Sequence, residues 1–323
     1  MRVAAIDCGT NSIRLLVADV EPGPVPVVRD LDRRLEIVRL GQDVDRTRRL
    51  APEALARTFD ACRRYADRIA ELGAERVRFV ATSATRDAIN ANEFVAGVRE
   101  LLGVEPEVIS GDEEARLSFT GATASLGALG LPTPYLVVDI GGGSTEFVLG
   151  DGHPLAAVSV DMGCVRLTER CLAGDPPTPD EVAAARAEIE GQLDRAAAAV
   201  PLDQARTLVG LAGTVTTVAA MALDLPAYLP ERIHHARVAA SEIHAVTERL
   251  LRMDRGQRRA LPFMHPGRVD VIGGGALILD RIVARVGPSL ADDEVVVSEH
   301  DILDGIALSC VREDAGSDVR GRG

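Results

Sequence analysis

Val3-Ala-Ala-Ile-Asp7-Cys-Gly9-Thr-Asn11-Ser12-Ile13-Arg-Leu-Leu-Val-Ala18 is an apolar run that ends in aspartate, opens into small polar residues and turns apolar again. Leu136-Val-Val-Asp139-Ile-Gly141-Gly-Gly143-Ser144-Thr145-Glu146-Phe147-Val-Leu149 repeats that design far along the chain. Each stretch predicts strand, tight turn, strand, with a carboxylate at the mouth of the turn. Two such turns facing each other across a cleft would offer backbone N–H groups to phosphate and two aspartates to a divalent metal. The expectation is a phosphoryl-transfer site built by duplication, on an α/β fold of two domains.

The segments between and after the repeats fit α/β order. Residues 51–72 carry apolar side chains at helical spacing and stop at Gly73. Arg76 to Ala81 reads as a strand leaving through Thr82-Ser83-Ala-Thr85-Arg86-Asp87, followed by a helix towards Leu102. Val108-Ile109 leads through Ser110 into another helix, and the Gly-, Ala-, Ser- and Pro-rich 121–134 is the best linker. An alanine-rich helix is expected from Pro179 to about Val200. Two further strand-to-turn units are read at 207–217, around Gly213 and Thr214, and at 268–276, around Gly273. Val25 to Val28 and 34–40 read as additional strands of the first sheet. The expected domains are 1–130, joined by a terminal helix over 301–311, and 131–300, with a flexible tail over 314–323.

The 323 residues suffice for two cores. Aromatic residues make up only 3%, with no Trp, so an aromatic platform for single-stranded nucleic acid is excluded. All the basic residues are arginine. Without lysine, P-loop and Schiff-base chemistries are excluded, while arginine can hold phosphate by its bidentate fork. A net charge of -13 opposes general nucleic-acid binding. The five cysteines show no metal-ligand spacing, the opening residues read as a strand and not a leader, and no run reaches membrane-spanning length. A reducing cytoplasm is the expected setting, with no membrane partner.

Asp7 and Asp139 have the chemistry to hold Mg²⁺ or Mn²⁺, which neutralises charge during phosphoanhydride hydrolysis. A strand-end aspartate also serves as a plain turn former. Gly9, Asn11 and Ser12, together with Gly141, Gly142, Gly143, Ser144 and Thr145, supply donors to phosphate. Of the pair Glu113-Glu114, Ser110 marks Glu113 as a capping residue, which leaves Glu114 for activating water; a solvated first-turn glutamate is the bland alternative. Glu146 is a second candidate base or a metal-side carboxylate, and the residues alone do not rank the two. Arg86 reads either as a phosphate clamp or as a surface arginine paired with Asp87 or Glu93. The six histidines share no ligand spacing, and His234-His235 reads as a loop pair.

The segments Ile6–Leu15, Ala81–Asn90, Ile109–Leu117, Val138–Glu146, Asp161–Thr168 and Gly213–Thr217 together resemble the exopolyphosphatase/guanosine pentaphosphate phosphatase family. That family belongs to the actin, sugar-kinase and Hsp70 superfamily. The resemblance runs to about Val311. It implies a duplicated actin-like (ribonuclease H-like) ATPase fold with an interdomain cleft, and a terminal helix that crosses back to the first domain. It also implies Glu114 as the catalytic glutamate, Asp139 and Glu146 at the metal, and Arg86, Asn11, Ser12, Gly143, Ser144 and Thr145 around phosphate. The length matches the family's short forms. The resemblance further suggests a homodimer.

The leading expectation is metal-dependent removal of terminal phosphate from inorganic polyphosphate. Hydrolysis of the 5′ γ-phosphate of guanosine pentaphosphate is the alternative; it needs a base pocket, and Gly273-Gly-Gly275 lies where actin-like relatives hold adenosine. An actin-like ATPase or kinase would have no use for Glu114, and a non-catalytic phosphate or nucleotide sensor would not need to keep it.

Overall fold

The computed structural model describes residues 1–21, 23 and 26–317, with side chains described to 311. The chain divides into two compact units, one of residues 1–124 with the chain from Ile302 onward, the other of residues 125–301.

In the first unit five strands, β1 (Arg2–Cys8), β2 (Ser12–Glu21), β3 (Val27–Ile37), β4 (Arg76–Ala81) and β5 (Glu107–Val108), form one sheet in the order β3-β2-β1-β4-β5. The β1–β2 and β2–β3 pairs are antiparallel, and β4 lies parallel to β1. Strand β1 is buried on both faces, as its unbroken apolar run requires. Ala4, Ile6 and Cys8 pack with the helices Pro52–Leu72 and Ala91–Leu102, while Val3 and Ala5 pack with the helix Ile302–Ser317. The Pro52–Leu72 helix starts on proline, buries Leu55, Cys62, Tyr65 and Ile69 on one stripe, and ends on Gly73 at φ 68. Its Tyr65 hydroxyl donates to the Ile13 carbonyl at 3.0 Å, tying the helix to the first hairpin.

The second unit repeats the topology. Strands β6 (Tyr135–Ile140), β7 (Thr145–Gly150), β8 (Pro154–Val160), β9 (Thr207–Leu211), β10 (Arg237–Ala239) and β11 (Glu294–Val297) run in the order β10-β11-β9-β6-β7-β8. Removing the edge strand β10 leaves the same order as in the first unit, with the same antiparallel hairpins and the same parallel central pair. The helices Pro179–Ala199, Ala212–Ala222, Ala240–Arg252 and Ile272–Val286 share one core with this sheet. Thr178 opens the Pro179–Ala199 helix with a reciprocal capping box to Glu181.

Four readings of the sequence change. The stretch 121–134 carries the boundary between the two units but is not open chain: the helix Gly111–Thr123 runs into it and a short 3-10 turn follows over Leu126–Leu129. No strand precedes Gly273; Gly273, Gly274 and Gly275 lie buried in the first turn of the Ile272–Val286 helix. A Cβ on Gly274 would meet Thr168 Oγ1 at 2.7 Å and one on Gly275 would meet Thr214 Oγ1 at 2.5 Å, so these glycines serve close packing. Gly213 likewise lies at the start of the Ala212–Ala222 helix, with no open turn before it. The last helix extends beyond the expected 301–311 to Ser317, and the rest of the expected tail, like Val25, is outside the described residues. Among the described residues no helix is long and apolar enough to cross a membrane.

Candidate active site

In the first unit the turn between β1 and β2 closes with the Gly9 amide on the Ser12 carbonyl at 3.0 Å. Antiparallel register sets Asp7 opposite Arg14. Arg14 donates through Nε and NH2 to Asp7 Oδ2, at 3.0 and 2.6 Å, so this buried carboxylate is neutralised within its own hairpin. Thr10 Oγ1 and Ser83 Oγ share a hydrogen bond of 2.9 Å, which fixes the short helix Ser83–Asp87 against the turn. That helix carries Arg86.

Arg86 NH1 donates to the Ile109 carbonyl at 2.9 Å and to Glu114 Oε2 at 3.2 Å. Ser110 caps the Gly111–Thr123 helix by accepting from the Glu113 amide at 3.2 Å. The neighbouring glutamates then part by a helical step. Glu113 is half-buried and lies 3.6 Å from Arg78, whereas Glu114 is 8% exposed and faces Arg86. Neither bland partner, Asp87 or Glu93, is needed to explain Arg86.

In the second unit the β6–β7 turn closes with the Gly141 amide on the Ser144 carbonyl at 3.0 Å. Behind it the helix Cys164–Cys171 begins, and helix starts carry N–H groups without intrahelical partners. Three of these are used on the turn: Cys164 donates to the Gly141 carbonyl at 2.9 Å, and Val165 and Arg166 to the Gly142 carbonyl at 2.9 and 3.1 Å. The turn therefore shows its carbonyls to the helix and its amides to the opposite side, the orientation an anion needs. Gly163 lies directly against it; a Cβ there would be 2.4 Å from the Gly142 carbonyl. Arg166, almost fully buried, pairs with Asp161 at 2.6 Å and closes the loop that holds Gly163 in place. Thr145 donates its hydroxyl to the Met162 carbonyl, and Ser144 is buried.

Antiparallel register sets Asp139 opposite Glu146. Both are buried, at 8% and 2% exposure, and cross-strand partners have Cβ atoms about 5 Å apart. Two carboxylates so placed keep their charges cheaply only with a cation between them or beside them. Ser159, on β8, donates to Glu146 Oε1 at 2.7 Å and fixes its rotamer. Among the described residues no three His, Cys, Asp or Glu side chains gather tightly enough to cage a metal. Two carboxylates fit Mg²⁺ well nevertheless, since that ion keeps several waters and takes further oxygens from phosphate.

Gly213 and Thr214 stand in the first turn of the Ala212–Ala222 helix, where amides lack intrahelical partners. Thr214 is buried against Gly275, and a Cβ on Gly213 would be 2.4 Å from the Arg268 guanidinium. Arg268 also donates to Thr217 at 3.0 Å and lies 5.8 Å from the Tyr228 ring centre. Burial pushes the neighbouring Cys164 thiol up to about 11, against the Thr214 contact, which favours the neutral thiol. His234 and His235 lie in a turn, as expected, with their rings 3.6 Å apart and His300 4.5 Å from His234. Arg14, Arg166 and Arg268 escaped the sequence reading. For Arg14 the signal was available, because hairpin register alone sets it opposite Asp7.

Comparison with known proteins gives one family over nearly the whole chain. The family model described as the Ppx/GppA phosphatase family matches residues 16–310. The chain is 53% identical over 314 residues to Exopolyphosphatase 2 of Mycobacterium tuberculosis, covering 95% of this chain and 98% of that protein. Among solved structures, an exopolyphosphatase-like protein superposes with a TM-score of 0.92 at 45% identity, covering 97% of this chain and 99% of the other. The Ppx/GppA enzyme of Aquifex aeolicus superposes with a TM-score of 0.79 at 32% identity, covering 96% and 99%. Match and architecture together make the chain a member of the Ppx/GppA phosphatase family.

Proposed function

We propose that the chain is an exopolyphosphatase, a phosphoanhydride hydrolase that removes terminal orthophosphate from inorganic polyphosphate. The observation that carries the proposal is Glu114, buried beside Arg86 while its half-buried neighbour Glu113 turns to Arg78. Likeness to Exopolyphosphatase 2 across the whole chain supports it.

Glu114 takes the proton of the attacking water, whose oxygen forms the new P–O bond as the bridging P–O bond breaks. Arg86 exchanges its contact with Glu114 for the terminal phosphoryl oxygens and balances their growing charge. The Gly9–Ser12 turn, through the amides of Asn11 and Ser12, and the amides of Gly142, Gly143 and Ser144 hold phosphate oxygens. Asp139 and Glu146 would hold Mg²⁺ or Mn²⁺; the ion would polarise the phosphoryl group and neutralise its charge. Arg14 already engages Asp7, so the proposal places the cation on Asp139 and Glu146.

Guanosine pentaphosphate remains the second substrate to test, with Gly273–Gly275 in the first turn of the Ile272–Val286 helix. The proposal includes a cytoplasmic enzyme, in keeping with five free cysteines, and a homodimer that lengthens the bound path. The deciding experiment offers the purified protein short and long polyphosphate, guanosine pentaphosphate and ATP with Mg²⁺, and measures orthophosphate release. Release from guanosine pentaphosphate alone would overturn the polyphosphate reading.

A further inference from the structure

We propose that Arg39 is a substrate-binding residue, contacting a phosphoryl group adjacent to the one held by the Gly9–Ser12 turn. The inference rests on the polyphosphate reading above and extends that site along the chain of the substrate.

Arg39 is exposed, yet its backbone is tied to the turn. Its amide donates to the Asn11 carbonyl at 2.9 Å, and the Val38 amide donates to the same oxygen at 3.1 Å. Two residues on, the Gly41 amide donates to the Thr10 carbonyl at 2.8 Å. A Cβ on Gly41 would lie 2.3 Å from Thr10 Cγ2, so the segment is laid against the turn with no room to lift. The Arg39 backbone is thus held against the phosphate turn by hydrogen bonds on both sides of it.

This backbone is strained. Arg39 has φ 49, a left-handed conformation that glycine adopts without cost and that asparagine and aspartate adopt more readily than arginine. The turn alone would be better served by glycine. Strain of this kind collects where a particular side chain is needed, and an arginine fork is suited to phosphate oxygens. A linear polyanion presents its second phosphoryl group a short distance from the first, within reach of such a side chain.

Arg39→Gly is therefore a clean perturbation, since it deletes the charge and relieves the backbone. Orthophosphate release with Mg²⁺ would be measured for tripolyphosphate and long polyphosphate at several salt concentrations, alongside thermal melts. KM for long chains should rise about 5–20-fold with saturating turnover changed far less, the effect of losing one charged contact. The slope of log KM against log salt should flatten by about one. The melting temperature should hold or rise, and Arg39→Lys should recover part of the affinity. A KM within twofold of wild type, or a lower melting temperature in Arg39→Gly, would overturn the subsite while leaving the function intact. A wild-type protein inert towards polyphosphate would overturn both.

Discussion

Alanine in place of Gly163 should disable the second phosphate turn without altering any side chain of the site. Gly163 has φ -141 and ψ 162, extended backbone that alanine adopts freely, so conformation is no obstacle. Space is the obstacle. The new Cβ would lie 2.4 Å from both the carbonyl carbon and oxygen of Gly142 and 2.6 Å from the amide nitrogen of Gly143. All three are backbone atoms and cannot rotate aside, so recovering an ordinary contact of 3.4 Å requires a shift of about 1 Å in the turn or in the loop behind it. The loop is held by the Arg166–Asp161 pair and by the three helix amides that donate to the turn, so the turn takes much of the shift. Misplacement of about 1 Å costs on the order of 10²-fold in rate. That corresponds to roughly 2.7 kcal/mol of transition-state stabilisation at 1.36 kcal/mol per decade. Overpacking should also cost about 1–3 kcal/mol of folding stability. The assay is orthophosphate release from polyphosphate at saturating Mg²⁺, with circular dichroism melts on the same samples. Gly152→Ala is the control: position 152 has φ 72 and open space around it, at the far end of the β7–β8 hairpin, so alanine there strains the backbone and spares the turn. A folded Gly163→Ala protein with kcat/KM within threefold of wild type would show that the glycine-rich turn does not hold phosphate.

Glu114→Gln should cut turnover by about 10²–10⁴-fold with little change in KM, the scale of a lost general base; a loss under threefold removes Glu114 from the mechanism. Asp139→Asn should weaken Mg²⁺ or Mn²⁺ binding measured by titration calorimetry with a phosphate analogue present, and unchanged affinity would reduce Asp139 to a turn former. Burial, helped by nearby His300, holds His235 below the ordinary histidine value of 6.5. Between that lowered value and 6.5 the unfolded chain binds the proton and the folded chain does not, so stability falls as pH drops through this window. Asparagine tolerates the φ of 63 at this position, so His235→Asn should lose less melting temperature than wild type between pH 7 and 5.5. An identical loss would show that His235 does not contribute.

The hairpins were legible because their chemistry is local: apolar alternation, a carboxylate and a glycine turn all lie within one stretch of chain. Glu114 was legible for a similar reason, since Ser110 fixes the helix start and the start fixes which glutamate turns inward. Gly273–Gly275 misled because three glycines after an apolar run also describe a turn. Their cause is non-local, the approach of Thr168 and Thr214 from other helices. Arg166 and Arg268 were invisible on the same ground, as each is placed by backbone that is distant in sequence or hidden in a loop. Arg39 could have been suspected only from its φ, which no residue type announces.

The two copies of the hairpin show how duplication yields turns of one design with different electrostatics. Register pairs the strand-end aspartate with the same position of the second strand in each: Asp7 with Arg14, and Asp139 with Glu146. The scaffold and the turn are common to both, and one cross-strand residue changes the electrostatics. In the first copy arginine satisfies the aspartate internally, so that hairpin is stable with no added ion. In the second copy glutamate sets a second buried carboxyl group beside the first, the pair that the proposed function assigns to a divalent cation. A single substitution should therefore transfer the property. Glu146→Arg would reproduce the first copy's pairing at Asp139, lowering metal affinity while preserving the fold, whereas a substitution of Arg14 would leave Asp7 without its principal partner and destabilise the first unit.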